Sequence, residues 1–220
     1  MNYFSNYSIF NSLSPQESDY LTKISVFQKK PKFSFLYLAD EPSNHLLFLV
    51  KGQIKTGTHS GDGREIIKDI HHPFSIVGEL GLVGEKSRNE FARALNEEVH
   101  YFTINIDNFK KLMQSNHQLC ESILGMIGER LQRAESKLES LIFKDARARI
   151  IEFLKDSAIK TGRKVGFELL LKHCLTQQDI ANITGTSRQT VTSVLNDLKK
   201  ENLIHFNRRT ILIRDVNTLK

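Results

Sequence analysis

Between Thr176 and Asn202 the chain reads TQQDIANITGTSRQTVTSVLNDLKKEN, and it concentrates the side-chain types that recognise the edges of nucleic-acid bases. Arg forks onto guanine, Gln pairs bidentately with adenine, and Ser or Thr bonds to either. Arg188, Gln189, Thr190, Thr192 and Ser193 supply all of these types. Val191, Val194, Leu195 and Leu198 recur at helical spacing, so they predict a buried face and leave Arg188, Gln189, Thr192, Ser193 and Asn196 on the outward one.

Something must hold such a helix so that its first turn can enter a major groove. Thr176 followed three residues on by Asp179 is a capping pair, and Ile180, Ala181 and Ile183 give a short first helix its apolar face. Gly185 ends that helix, because a residue without Cβ takes positive φ freely, and Ser187 is a second N-cap. Cap, glycine turn and second cap at this spacing predict a helix-turn-helix. The bland alternative is a pair of surface helices with ordinary polar residues; the joint occurrence of caps and readers disfavours it. Leu203-Ile204, Asn207-Arg208-Arg209 and Thr210 to Ile213 then predict a strand, a basic turn and a return strand, a wing that would put Arg208 and Arg209 beside phosphates.

The 220 residues suffice for two modest domains, and the formal net charge of +6 suits a polyanionic partner without requiring one. Cys120 and Cys174 stand far apart with no ligand spacing, so neither a disulfide framework nor a zinc or iron–sulfur site is expected. The first residues lack a basic start leading into an apolar run, and no later stretch approaches the length of a membrane span. A cytoplasmic protein is expected.

Ser14-Pro15-Gln16-Glu17 predicts a capped helix running through Leu21 and Ile24. Six short runs rich in β-branched and aromatic residues follow, Phe35–Leu38, His45–Val50, Gln53–Thr58, Glu65–Ile70, Phe91–Leu95 and Val99–Ile104, and they predict a β-roll or barrel. Lys51-Gly52-Gln53 and Ser60-Gly61-Asp62-Gly63 mark tight reversals, which makes adjacent strands antiparallel neighbours. From Asp107 to about Leu141 the period turns helical. Leu124, Ile127, Leu131, Ala134, Leu138 and Leu141 alternate spacings of three and four, with Glu129, Arg130, Arg133, Lys137 and Glu139 on the flanks. That rhythm suits a two-helix seam between two copies over residues 124–141; a single helix packed on its own roll would give a similar stripe. Phe143–Lys144 is the expected hinge, Ala146–Ala158 a helix, and Thr161-Gly162-Arg163-Lys164 a basic turn and linker. The expected division is 1–106 as a sensor roll, 107–142 as dimerisation helix and hinge, and 143–220 as a winged helix-turn-helix, an α+β chain overall.

This order of elements resembles the catabolite activator / fumarate-nitrate regulator (CRP/FNR) family of bacterial transcription regulators. The likeness is sharpest at Gly78-Glu79-Leu80-Gly81-Leu82 with Arg88, similar to the family's phosphate-binding cassette, at Asp62-Gly63-Arg64-Glu65, and at Thr176 to Ile204. It implies a homodimeric, sequence-specific transcription regulator on a palindromic duplex, with RNA polymerase as a further partner. Its implied DNA contacts are Thr176, Gln177, Ser187, Arg188, Gln189, Thr190, Thr192, Ser193, Arg208 and Arg209, with Gln177 on phosphate. Its implied effector contacts are Gly78, Glu79, Leu80, Arg88 and Asn89, where Arg88 would neutralise a phosphate and Glu79 accept from a ribose hydroxyl; the equal alternative is a structural one, with Gly78–Leu82 a tight corner and Arg88 a surface or ion-paired side chain in a pocket that binds nothing.

Two departures weaken a cyclic nucleotide as the effector. Asn89 stands where the family's cyclic-nucleotide binders carry a small hydroxyl residue, and Ala134-Glu135 where the long helix gives a Thr-Ser pair to adenine; Ala134 has no polar atom and Glu135 brings a carboxylate. No cofactor is assigned with certainty. His71-His72-Pro73 is read as a turn and no metal is assigned. Gln189 and Ser193 replace family residues with other base preferences, so the half-site should keep one guanine and differ beside it. The rival reading is a cyclic-nucleotide-binding regulatory module of an enzyme or channel, which would have no use for Thr176–Asn202. An enzyme is not expected, for no GxSxG, HExxH or Walker pattern occurs.

Overall fold

The computed structural model describes residues 3–173, 175–207 and 209–219. These residues form two compact units: residues 1–63 with 68–133, and residues 64–67 with 134–220.

In the first unit, Ser14 caps helix α1 (Pro15–Ile24) through a reciprocal box with Glu17. Strands β1 (Ser25–Lys30), β2 (Phe35–Tyr37), β3 (His45–Lys51), β4 (Ile54–His59), β5 (Glu65–His71), β6 (Ile76–Val77), β7 (Phe91–Ala94) and β8 (Val99–Asn105) follow. They make two four-stranded sheets, ordered β1-β8-β3-β6 and β2-β7-β4-β5. Strand β3 shows why a roll results. Its side chains alternate between two cores: Leu46 and Phe48 join Phe4, Tyr7, Phe10 and Phe109, whereas Leu47 and Leu49 join Tyr37, Ile54 and Val99.

The reversal at Gly52 carries the chain from one sheet to the other, so β3 and β4 are not sheet neighbours, contrary to the expectation for adjacent strands. Gly52 holds φ +84°, and a Cβ there would meet the Glu98 carbonyl at 2.8 Å. Between β4 and β5 the hairpin expectation holds, with the Gly63 amide donating to the Ser60 carbonyl at 2.8 Å. The helical stretch after β8 divides at Asn116, which is extended and separates α2 (Ile106–Ser115) from α3 (His117–Phe143). Its Oδ1 accepts from the Leu119 amide at 2.9 Å and so starts the second helix, while its Nδ2 donates to Ser12 and Glu17.

The second unit contains α4 (Ala146–Thr161), β9 (Arg163–Val165), β10 (Glu168–Lys172), α5 (Gln177–Thr184), α6 (Arg188–Lys200), β11 (Ile204–Asn207) and β12 (Thr210–Ile213). Asp145 caps α4 by accepting from the Ala148 amide at 2.8 Å. Arg163 and Lys164, read from the sequence as a linker, instead belong to an edge strand paired with β10 in a sheet ordered β11-β12-β10-β9. The apolar faces of α4, α5 and α6 close over that sheet through Ile150, Leu154, Ile180, Val191, Leu195, Leu198, Ile211 and Ile213. One guanidinium ties this unit's start to its turn. Arg149 Nη1 donates to the Lys144 carbonyl at 2.7 Å, Nε to Thr184 at 2.8 Å and Nη2 to Gly185 at 3.1 Å, so it satisfies carbonyls that end α3 and α5.

Candidate nucleic-acid interface and effector site

Local sequence sets the geometry of α5 and α6. The Thr176 hydroxyl accepts from the Asp179 amide at 3.0 Å while Asp179 accepts from the Thr176 amide at 2.9 Å. Gly185 caps α5 at φ +63°, and Ser187 Oγ accepts from the Thr190 amide at 3.0 Å to open α6. Burial divides α6 as its periodicity predicts, with Val191, Val194, Leu195 and Leu198 inside and Arg188, Gln189, Ser193 and Asn196 exposed.

The other predicted DNA residues are held differently. Thr190 is half-buried and its hydroxyl pairs with Ser187 at 2.9 Å. Thr192 is half-buried too, and its hydroxyl lies 2.7 Å from Gln177 Oε1 and 2.9 Å from the Arg188 carbonyl. Donation to Oε1 joins the two helices and turns the amide –NH2 of Gln177 away from Thr192. Arg209 is exposed at the β11–β12 turn; Arg208 lies outside the described residues. Thr176 is exposed beside Gln177 at the start of α5.

In the roll, the cassette is closed around protein atoms. Gly78 holds φ +88°, and a Cβ there would run into the Arg88 guanidinium; a Cβ on Gly81 would meet the Ser43 carbonyl at 2.7 Å. Both glycines therefore make room for their own chain. Arg88 is 3% exposed. Its Nη1 donates to the Gly78 carbonyl at 3.3 Å and its Nη2 to the His45 carbonyl, with the guanidinium 4.4 Å above the Tyr37 ring and 3.9 Å from Glu85. Leu80 is half-buried, and Asn89 is exposed with its Oδ1 3.5 Å from Lys68 Nζ.

Arg130, from α3, completes the cluster. Its Nη1 donates to Glu79 Oε1 and its Nη2 to Glu90 Oε1 at 3.3 Å, while Lys68 Nζ stands 3.3 Å from Glu90 Oε2. Burial opposes the Arg130 charge, but the Glu79 and Glu90 carboxylates override it and raise the guanidinium above its usual value. Burial, helped by Glu90, also pushes the Tyr37 phenol up. Burial pulls the His71 imidazole down against the contrary pull of Asp69 and Glu79, leaving a neutral ring 3.2 Å from the Thr56 hydroxyl. Among the described residues, Tyr37 Oη, Glu79 Oε2 and Arg88 Nε are buried without a hydrogen-bond partner, while Glu90 Oε2 has the Lys68 ion pair alone.

The two regions match two family models, a cyclic nucleotide-binding domain over residues 27–116 and a Crp-like helix-turn-helix domain over residues 148–220. The chain belongs to the CRP/FNR family of transcription regulators. It is 29% identical over 211 residues, 96% of this chain and 94% of the relative, to a CRP-like cAMP-activated global transcriptional regulator of Mycobacterium tuberculosis. FixK2 from Bradyrhizobium japonicum has the same fold, at TM-score 0.80 and 22% identity over 89% of this chain and 96% of that one. A CooA mutant from Carboxydothermus hydrogenoformans superposes at TM-score 0.78 with 27% identity, covering 90% of this chain and 88% of the other. The CRP/FNR chain thus carries a helix-turn-helix DNA-binding domain and an effector-type roll, which disfavours the free-standing regulatory module. Its relatives are transcription regulators rather than enzymes. Among the described residues no helix is long and apolar enough to cross a membrane, and no cluster of three metal-ligating side chains occurs.

Sequence reasoning missed Tyr37, His71, Glu90 and Arg130 as members of this buried polar cluster. Arg130 reads as a flanking charge on a heptad, and nothing local points it at carboxylates 51 and 40 residues away. Glu90 did leave a signal: it immediately follows Arg88-Asn89 and leads into an apolar strand, where a charge turned to the core is costly unless something pairs with it.

Proposed function

We propose that this CRP/FNR-family protein works as a homodimer that places two copies of α6 in successive major grooves of a palindromic duplex, under control of the roll. The observation that carries this reading is the first turn of α6, where Arg188 and Gln189 project from a capped helix whose opposite face is the core. Arg188 reads guanine, and Gln189 and Ser193 read the neighbouring pairs. Thr176, Gln177, Ser187, Thr190, Thr192 and the wing residues Arg208 and Arg209 position the helix against the backbone.

Helix α3 supports the symmetric pair. Leu124, Leu131 and Leu138 are each about 60% exposed and share one stripe with Leu141. Gly125 and Gly128 lie beside that stripe with nothing within 4 Å of where a Cβ would stand. A glycine inside a helix costs about 1 kcal/mol relative to alanine, and close approach by a second helix gives that cost a use. Residues 1–106 then act as sensor, 107–142 as dimer helix and hinge, and 143–220 as reader. An effector in the roll meets Gly78, Glu79, Leu80, Arg88 and Asn89. RNA polymerase as a further partner and a cytoplasmic setting accord with that role.

Selection from random duplexes with the full chain tests the reading. Enriched sites should contain two half-sites about 34 Å apart, one turn of DNA, each with a fixed guanine. Arg188→Ala should release that guanine and lose about 1–3 kcal/mol of binding. Sedimentation should show a dimer. An enriched site indifferent to Arg188, or single chains at every concentration, would end the proposal.

A further inference from the structure

We infer that Glu90 sets the charge class of ligand the roll accepts: its buried carboxylate turns away the phosphate of a cyclic nucleotide and fits the site to a neutral or cationic hydrogen-bond donor. The inference rests on reading the roll as an effector site. Three carboxylates, Glu79, Glu85 and Glu90, stand against three cations, Lys68, Arg88 and Arg130, and each cation already faces a carboxylate. Glu79, Glu90 and Arg88 are at most 5% exposed, so water screens little of what happens between them. A phosphate entering this ring brings a negative charge that no unmatched cation answers.

The hydrogen-bonding atoms point the same way. Both Nη atoms of Arg88, the groups suited to a phosphate, donate to the carbonyls of Gly78 and His45. Glu90 Oε2 is answered by Lys68 Nζ at 3.3 Å; of the three other buried atoms without a partner, Glu79 Oε2 only accepts, Arg88 Nε only donates, and Tyr37 Oη can do either. A ligand bearing N–H or O–H groups can answer both Glu79 Oε2 and Tyr37 Oη. An anion could accept from Arg88 Nε and from the Tyr37 hydroxyl, but it would leave Glu79 Oε2 without a donor and set its own oxygens near two carboxylates. Tyr37 is 6% exposed, so it cannot turn to solvent for its missing bond.

Titration calorimetry on the full chain, with cyclic AMP and adenosine as probes, tests the inference, since adenosine keeps the base and ribose but carries no phosphate. The unaltered protein should bind cyclic AMP no more tightly than adenosine. Glu90→Gln keeps an amide beside Arg130 and removes the charge; it should raise affinity for cyclic AMP on the order of 100-fold and for adenosine less than about 3-fold. Adding Arg88→Met should abolish the gain. Micromolar binding of cyclic AMP by the unaltered protein overturns the inference. So does an equal gain for both probes, or no gain in a variant that melts like the parent; Glu90→Met replaces Glu90→Gln if the amide fails to fold. Duplex binding by the same unaltered preparation is scored separately, and its failure counts against the DNA reading alone.

Discussion

The first turn of α6, proposed to read bases, and the polar cluster inside the roll use the same side-chain chemistry in opposite surroundings. Arg188 is exposed at the start of a helix, whereas Arg88 and Arg130 are taken up by carbonyls and carboxylates of their own chain. On the surface an arginine is kept available and contributes little to folding. Inside the roll the same group is bound into the structure, so removing it leaves buried charges uncompensated. Availability and integration are alternatives, and the molecule assigns one to the first turn of α6 and the other to the roll.

Arg130→Met is the strongest way to break that contrast. Glu79 and Glu90 would remain buried without their shared cation, at a cost of about 3–5 kcal/mol. Urea denaturation should show the loss, and a change below about 1 kcal/mol would mean the cluster relaxes around water. Arg188→Ala should leave the same denaturation curve unmoved.

The acid limb of stability sharpens the comparison further. Burial lowers the His71 imidazole below its unfolded value of 6.5, so the unfolded chain takes up the proton first. The stabilisation is complete above that pH and falls away as pH drops below it, by at most about 1.4 kcal/mol per pH unit. His173 shifts the same way through burial and should add to the slope. His71→Asn should flatten the part of the curve between the unfolded and folded values; an unchanged slope would assign the limb to other groups.

The smallest effect is expected at the bond between α5 and α6. Thr192→Val removes the hydroxyl that orients the Gln177 amide and should weaken duplex binding by about 1 kcal/mol, uniformly across sequences, with Thr192→Ser restoring it. A change confined to one base pair would make Thr192 a reader itself.

The fold was legible where a few consecutive residues determine it. Ser14, Thr176 and Ser187 announce helix starts because their partners lie three residues away. The six apolar runs fall on β2, β3, β4, β5, β7 and β8 because each carries its own core residues. Strand β1 escaped notice because Val26 and Phe27 stay exposed and its sequence, SVFQKK, owes its place to pairing with β8 some 75 residues later. Strand β9 is exposed along its length and reads as a basic loop. The polar cluster of the roll was half legible: Gly78, Glu79 and Arg88 share one short stretch, whereas Tyr37, His71 and Arg130 reach it through tertiary folding alone.

Arg149 leaves almost no slack between Lys144 and the turn at Gly185, since a single planar group grips the backbone on both sides. A twist applied at Lys144 is expected to reach the end of α5 through this one group. On the proposed reading, control would carry the helix pair as one piece and not bend it from within.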